Sequence, residues 1–232
     1  MAPRSKSRKK NLVAKTAAIA TNKLGKNAGK ACAAFIGAFY ANVPPADISS
    51  SSPEMLFGAG ASCWTLAQKR MVGEPLIRVF NPRLETHGWQ SSHTVIEIVT
   101  DDMPFLVDSL TAELNYQGLT VYLVIHPIFA TTRTAKGKLT DCQPSINGSA
   151  QSESFMHIEV SEQTDPAVMA RLTGRLERVL LDVRAAVEDW PKMNAQVRDI
   201  IAGLEARPPA IEKSEIVQTR EFLEWLCDDH FT

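Results

Sequence analysis

An adjacent pair of carboxylates, Asp101 and Asp102, lies in the run V-T-D-D-M-P-F-L from Val99 to Leu106. Two neighbouring carboxylates can divide general acid and general base work between them. Pro104, however, marks a first helical turn, where its missing N–H costs nothing, and acids just ahead of a helix cap its free amides. The expected role is therefore capping. The five histidines, His87, His93, His126, His157 and His230, are scattered, with no cysteine at zinc-type spacing from any of them. The four cysteines, Cys32, Cys63, Cys142 and Cys227, form no C-x-x-C pair, which suits free thiols in a reducing cytoplasm. G-A-G-A-S at Gly58 to Ser62 superficially suggests a nucleotide loop. It follows no strand, as a dinucleotide fingerprint requires, so its small residues are expected to serve close helix packing. These residue types and spacings predict no catalytic residue, no metal site and no cofactor in this chain.

The elements that position these residues belong to a chain of 232 residues, 44% hydrophobic and 22% charged, which can bury a core. Without a run of about 18 apolar residues it has no membrane-span signature. The net charge of -1 conceals an asymmetry: residues 1–30 carry nine Lys and Arg and no acid, leaving 16 basic against 26 acidic residues elsewhere. The basic stretch is expected to be a solvated, flexible tail whose removal leaves stability nearly unchanged. It holds no aromatic residue, which argues against nucleic acid as a partner.

Beyond the tail, Cys32, Phe35, Ile36, Phe39 and Tyr40 recur at helical spacing up to Val43-Pro44-Pro45. Ser52 is the N-cap of a second helix with Pro53 in its first turn, so residues 31–72 read as a helical hairpin. Leu76 to Phe80 is a short strand. Thr94 to Val99 is a strand apolar on both faces, followed by a helix with the stripe Leu106, Leu110, Leu114 and by a strand over Leu119 to Phe129. A polar connection from Ala130 to Ser152 leads to the strand Ser154 to Val160, whose Phe155, His157 and Glu159 face is expected to be partly wet. The longest helix opens at Asp165-Pro166 and is expected to end or kink at Pro191. The order strand, helix, strand, strand, helix predicts an α+β fold: a ferredoxin-like antiparallel sheet with helices packed on one face, completed by Leu76–Phe80 or by a strand after the long helix.

The turn from Val99 to Leu110 resembles the first strand-to-helix turn of an ACT regulatory domain. Together with R-V-F-N-P at Arg78 to Pro82, L-D-V-R-A-A-V-E-D-W-P at Leu181 to Pro191 and F-L-E-W-L-C-D-D-H-F-T at Phe222 to Thr232, it resembles the N-terminal region of the large bacterial NAD-specific glutamate dehydrogenases. The resemblance implies four segments: the tail 1–30, the helical hairpin 31–72, an ACT-like sandwich 73–205, and 206–232 as a linker with the start of a following segment. It implies a regulatory or oligomerisation module of a cytoplasmic parent enzyme that uses NAD, with the rest of that polypeptide and further subunits of a homo-oligomer as partners.

It further implies an effector site for an amino acid at Asp101, Asp102, Met103, Pro104, Phe105 and Leu106, with the amides of Met103 to Leu106 facing the ligand's carboxylate. Where ACT ligand sites carry glycine after the proline, this chain has Phe105, which is expected to be a packed core or interface anchor. Two other readings stand beside this one: a pure scaffold with no ligand site, and a basic-tailed protein that associates with nucleic acid.

Overall fold

A computed structural model of the protein describes residues 2–144 and 152–230. It divides into two compact units, residues 1–180 and residues 181–232. In the first, a sheet of six antiparallel strands lies between two helical layers. The strands are β1 (Leu76–Phe80), β2 (Thr94–Asp101), β3 (Val121–Ile125), β4 (Ile128–Arg133), β5 (Leu139–Pro144) and β6 (Ser152–Val160). Their order is β1-β2-β6-β4-β5, with β3 paired to β6 beside β4. The sheet is thus completed by the strand that precedes β2.

The strand expected over Leu119 to Phe129 is divided into β3 and β4 at His126-Pro127, because Pro127 has no N–H to give the ladder. Its carbonyl still accepts from Phe155 N at 3.0 Å, which keeps both halves on the same edge of β6. The tip of the β5 to β6 connection, residues 145–151, lies outside the described residues.

On one face of the sheet, Ile96 and Ile98 of β2 meet Ile158 and Met156 of β6, all fully buried. The equally buried stripes Leu106, Leu110 and Leu114 of α6 (Leu106–Tyr116) and Leu172, Leu176 and Leu180 of α7 (Pro166–Ala206) form the helical layer of the predicted sandwich. The opposite face carries Val99, Phe129 and Phe155, and α2 (Lys26–Phe39) and α4 (Pro53–Leu66) close over it. Phe35 of α2 stacks on Phe129 at 4.9 Å and lies 5.5 Å from Phe155. The β6 face expected to be partly wet is covered at Phe155 and His157, the latter 1% exposed, and stays partly open only at Glu159.

A further expectation changes here. Residues 2–23 form a helix, α1 (Ala2–Lys23), and not a flexible tail. Its narrow face of Leu12, Val13, Ala17, Ile19 and buried Thr16 and Ala20 packs on the core. Lys9 Nζ donates to Ala41 O at 2.6 Å just beyond α2, a favourable place for a cation at a helix C-terminus. Gly29 permits the approach of α2, because a Cβ there would lie 2.8 Å from Ala20 O. The expected hairpin is formed by α2 and α4, joined by the short α3 (Pro45–Ile48), and α1 packs against both. Ser52 caps α4 as expected, its Oγ accepting from Met55 N at 3.3 Å. The Gly58 to Ser62 stretch lies inside α4, where a Cβ at Gly58 would fall 2.3 Å from Trp89 Cβ. Close packing explains those small residues.

The second unit contains the end of α7, α8 (Lys213–Trp225) and a π-helical turn over Leu226–His230. Pro191 lies inside α7 and does not end it. In this largely exposed stretch, the carbonyl deprived of Pro191's N–H is able to turn to water. Arg220 pairs with Glu205 at 3.2 Å and Arg198 Nη2 donates to Cys227 O at 3.5 Å. Among the described residues no helix is long and apolar enough to cross a membrane.

Candidate functional site

The turn from Asp101 to Leu106 joins β2 to α6. Asp101 is still the last residue of β2, and α6 begins only at Leu106. Neither carboxylate caps the helix, contrary to the expectation from Pro104. Asp102 N donates to Ser152 O at 2.9 Å, and Asp102 Oδ1 accepts from Ser154 Oγ at 2.6 Å. Ser154 Oγ lies 2.9 Å from His126 Nε2. With the hydroxyl proton directed at Asp102, Nε2 must be the donor to Ser154. Serine is central in this Asp-Ser-His chain, so no imidazole stands between it and the carboxylate to remove its proton. The arrangement clamps the turn to β6 and to the break between β3 and β4. Burial lowers the His126 pKa, and the charge of Asp102 only partly offsets this.

Phe105 departs further from expectation. It precedes the first helical residue at φ 67° and ψ 2°, and it is the one non-glycine residue with positive φ among those described. It is 53% exposed, so it is not a core anchor, whereas Leu106 beside it is 2% exposed and anchors the helix start. The position has kept the left-handed backbone that glycine adopts freely and placed a phenylalanine on it. Met103 is half-buried and Pro104 exposed.

The carboxylate of Asp101 accepts from Arg70 Nη2 at 2.6 Å and from Gly73 N at 3.0 Å. Arg70, 2% exposed, also reaches Glu153 at 2.9 Å, and Arg133 grips Glu153 through Nε at 2.6 Å and Nη2 at 2.7 Å. Burial disfavours the charge on Glu153, but Arg133 and Arg70 outweigh it and hold its pKa low. Two arginines and two carboxylates thus balance one another at the end of β2 and β6 that carries the turn.

A second charged group lies along the same face, separated from the first by the apolar rung Val99 and Phe155. Glu97, fully buried, pairs with Arg78 of β1 and faces His157 on β6. His157 Nε2 lies 3.4 Å from Glu159 Oε1, and His93 Nδ1 lies 2.8 Å from Glu159 Oε2. Burial works against a charged His157, yet the carboxylates of Glu159 and Glu97 on either side of it prevail and raise its pKa to about 9. Burial also works against ionised Glu159, but His157 and His93 bring its pKa down to about 2. Glu97 Oε1 and His157 Nδ1 have no hydrogen-bond partner and face each other at 3.8 Å.

Sequence reasoning missed Arg70, Arg133 and Glu153 altogether. Glu97 carried a signal, since an acid inside T-V-I-E-I-V must find a cation once both faces are covered. The remaining candidates stay apart. His87 Nδ1 accepts from Arg83 N at 3.1 Å, and the His230 side chain lies outside the described residues. Burial pushes Cys32 up to about 11 and Cys142 up to about 12, so both thiols stay protonated. Among the described residues no three His, Cys, Asp or Glu side chains group as metal ligands.

An antiparallel sheet with α6 and α7 on one face and a strand-to-helix turn at Asp101 to Leu106 makes this an α+β, ACT-like domain carrying additional N-terminal helices. The family model described as the glutamate dehydrogenase ACT1 domain matches residues 35–176, and the chain belongs to that family. It is 37% identical over 214 residues to the NAD-specific glutamate dehydrogenase of Halomonas elongata, covering 91% of this chain and 13% of that protein. To the protein of the same name from Pseudomonas aeruginosa it is 32% identical over 211 residues, 90% of this chain and 13% of the relative. The one from Mycobacterium tuberculosis is 24% identical over 174 residues, 72% of this chain and 10% of the relative. The chain therefore spans about 13% of the length of the first two curated relatives.

Proposed function

We propose that this chain is the N-terminal ACT-like regulatory and assembly module of a large cytoplasmic NAD-specific glutamate dehydrogenase. The parent reaction oxidises L-glutamate with NAD and water to 2-oxoglutarate, ammonia and NADH. The carrying observation is the match of nine-tenths of this chain to about one-eighth of two such enzymes. The chain's own chemistry fits a non-catalytic role. Arg70, Arg78 and Arg133 are committed to Asp101, Glu97 and Glu153, and Asp102 is committed to Ser154. Its partners are the rest of the same polypeptide and other subunits of a homo-oligomer, and NAD binds elsewhere in the parent.

An effector amino acid at the turn would rely on backbone groups near Leu106, because both turn carboxylates already have partners. That same commitment favours a second reading, a scaffold without a ligand site. The test uses the full-length enzyme with this module excised. Turnover at each active site is expected to persist while subunit assembly or effector response is lost. The purified chain mixed with L-glutamate and NAD is expected to form no NADH. NADH formation by the chain alone, or an excised enzyme with unchanged assembly and regulation, would overturn the proposal.

A further inference from the structure

The opposite end of the sheet from the Asp101 turn carries a cleft of about 560 Å3 that the assembly role does not use. Its lining includes Glu159 at the end of β6, Asp47 of α3, the almost fully buried Tyr40 and Trp89, and the exposed Tyr122. No lysine or arginine lines it. The volume is that of a small-molecule site, with polar groups converging on a partly aromatic wall.

The two oxygens of Glu159 have different partners. Oε1 turns inward to His157 at 3.4 Å, while Oε2 is held at 2.8 Å by His93 and at 3.3 Å by Ser91 Oγ, both residues of the cleft wall. The Glu159 side chain keeps 18% exposure and lines the cleft, so the cavity meets part of an ionised carboxylate. Tyr122 stacks on His93 with ring centroids 4.3 Å apart and remains 57% exposed. Exposed Asp47 adds a second acid. With no lysine or arginine in the wall, the carboxylates of Asp47 and Glu159 beside the ring of Tyr122 suit an organic cation, even with His93 and His157 already on Glu159, and they disfavour phosphates and carboxylic acids.

We infer that this cleft binds a small organic ammonium ion, its charge directed to Glu159 Oε2 and Asp47 and its methylene groups against Tyr122. The inference goes beyond the assembly role and does not depend on the Asp101 turn.

The test is calorimetric titration of the chain with 1,4-diaminobutane and, separately, with succinate, which has the same carbon count and opposite charge, at matched ionic strength. The diamine is expected to give a saturable heat with Kd below about 1 mM, and succinate none. Asp47→Asn and Tyr122→Ala are expected to weaken the diamine by roughly fivefold to tenfold each, and Glu159→Gln to abolish its binding. Because Glu159→Gln also takes one of the two carboxylates from buried His157 and can impair folding, the two exposed variants keep the test decisive. No saturable heat with the diamine, equal binding of succinate, or diamine affinity unchanged in both exposed variants would overturn the inference. None of these outcomes touches the excision experiment that tests the assembly role.

Discussion

Replacing Phe105 separates backbone strain from ring burial. An L-residue in the left-handed region costs about 1–2 kcal/mol relative to the right-handed one, and glycine avoids that cost. The Phe105 ring is 53% exposed. Its burial therefore contributes about 1 kcal/mol, roughly half of what a fully buried phenylalanine supplies. Phe105→Ala loses that contribution and keeps the strain, so it is expected to destabilise by about 1 kcal/mol. Phe105→Gly loses the ring but relaxes the backbone, leaving stability within about 1 kcal/mol of the unchanged chain. Glycine should thus exceed alanine by about 1 kcal/mol, the reverse of their order at a right-handed position. Urea unfolding of the purified chain, followed by circular dichroism at constant m-value, measures the difference. Alanine equal to or better than glycine would refute the strain argument. A loss of 3 kcal/mol or more in the glycine variant would restore Phe105 as a packed anchor.

Other expectations follow from the charged groups and from α1. The His157 pKa is raised to about 9 from 6.5, so its contribution to stability is full below about 6.5 and is lost as pH rises through about 9. The Glu159 pKa is lowered from 4.5 to about 2, so its contribution is present above about 4.5 and is lost as pH falls toward 2. Melting temperature is expected to be highest between these limits, and a maximum above pH 9 would contradict the assignment. Glu153→Gln leaves buried Arg133 without a carboxylate and takes one of the two that hold Arg70, and it is expected to cost roughly 3–5 kcal/mol in denaturant unfolding. Deleting residues 1–23 uncovers the faces of α2 and α4 and is expected to cost about 3 kcal/mol or more. Gly29→Ala is expected to destabilise through its clash with Ala20 O, and unchanged melting in either variant would show that α1 does not pack there.

Much of the sheet domain was legible because each signal was local. T-V-I-E-I-V announces a central strand, Ser52-Pro53 a helix start, and the Leu106, Leu110, Leu114 stripe a buried helix face. What escaped depended on distant partners. Asp101 looks like a cap until Arg70 and Gly73 arrive beside it from another part of the chain. The Phe155, His157, Glu159 alternation gives the correct faces of β6, but nothing in it tells that α2 and α4 cover the second one. Residues 1–30 looked like a tail because the buried stripe of α1 uses small residues such as Ala17 and Ala20 among many lysines, an apolar face too narrow to register. At the candidate turn, the sequence located the departure from glycine at Phe105 but not the backbone shape that survived it.

The strand that completes the sheet has a consequence for how the protein is made. During translation β1 emerges before β2, so the apolar strand Thr94–Asp101 leaves the ribosome with its antiparallel partner already available. Had the completing strand instead followed α7, the edge of β2 that β1 covers would stay open until the chain had passed Ala206, a template for pairing with a neighbouring nascent chain. By Val160 all six described strands have been made, and α7 then arrives to cover the sheet.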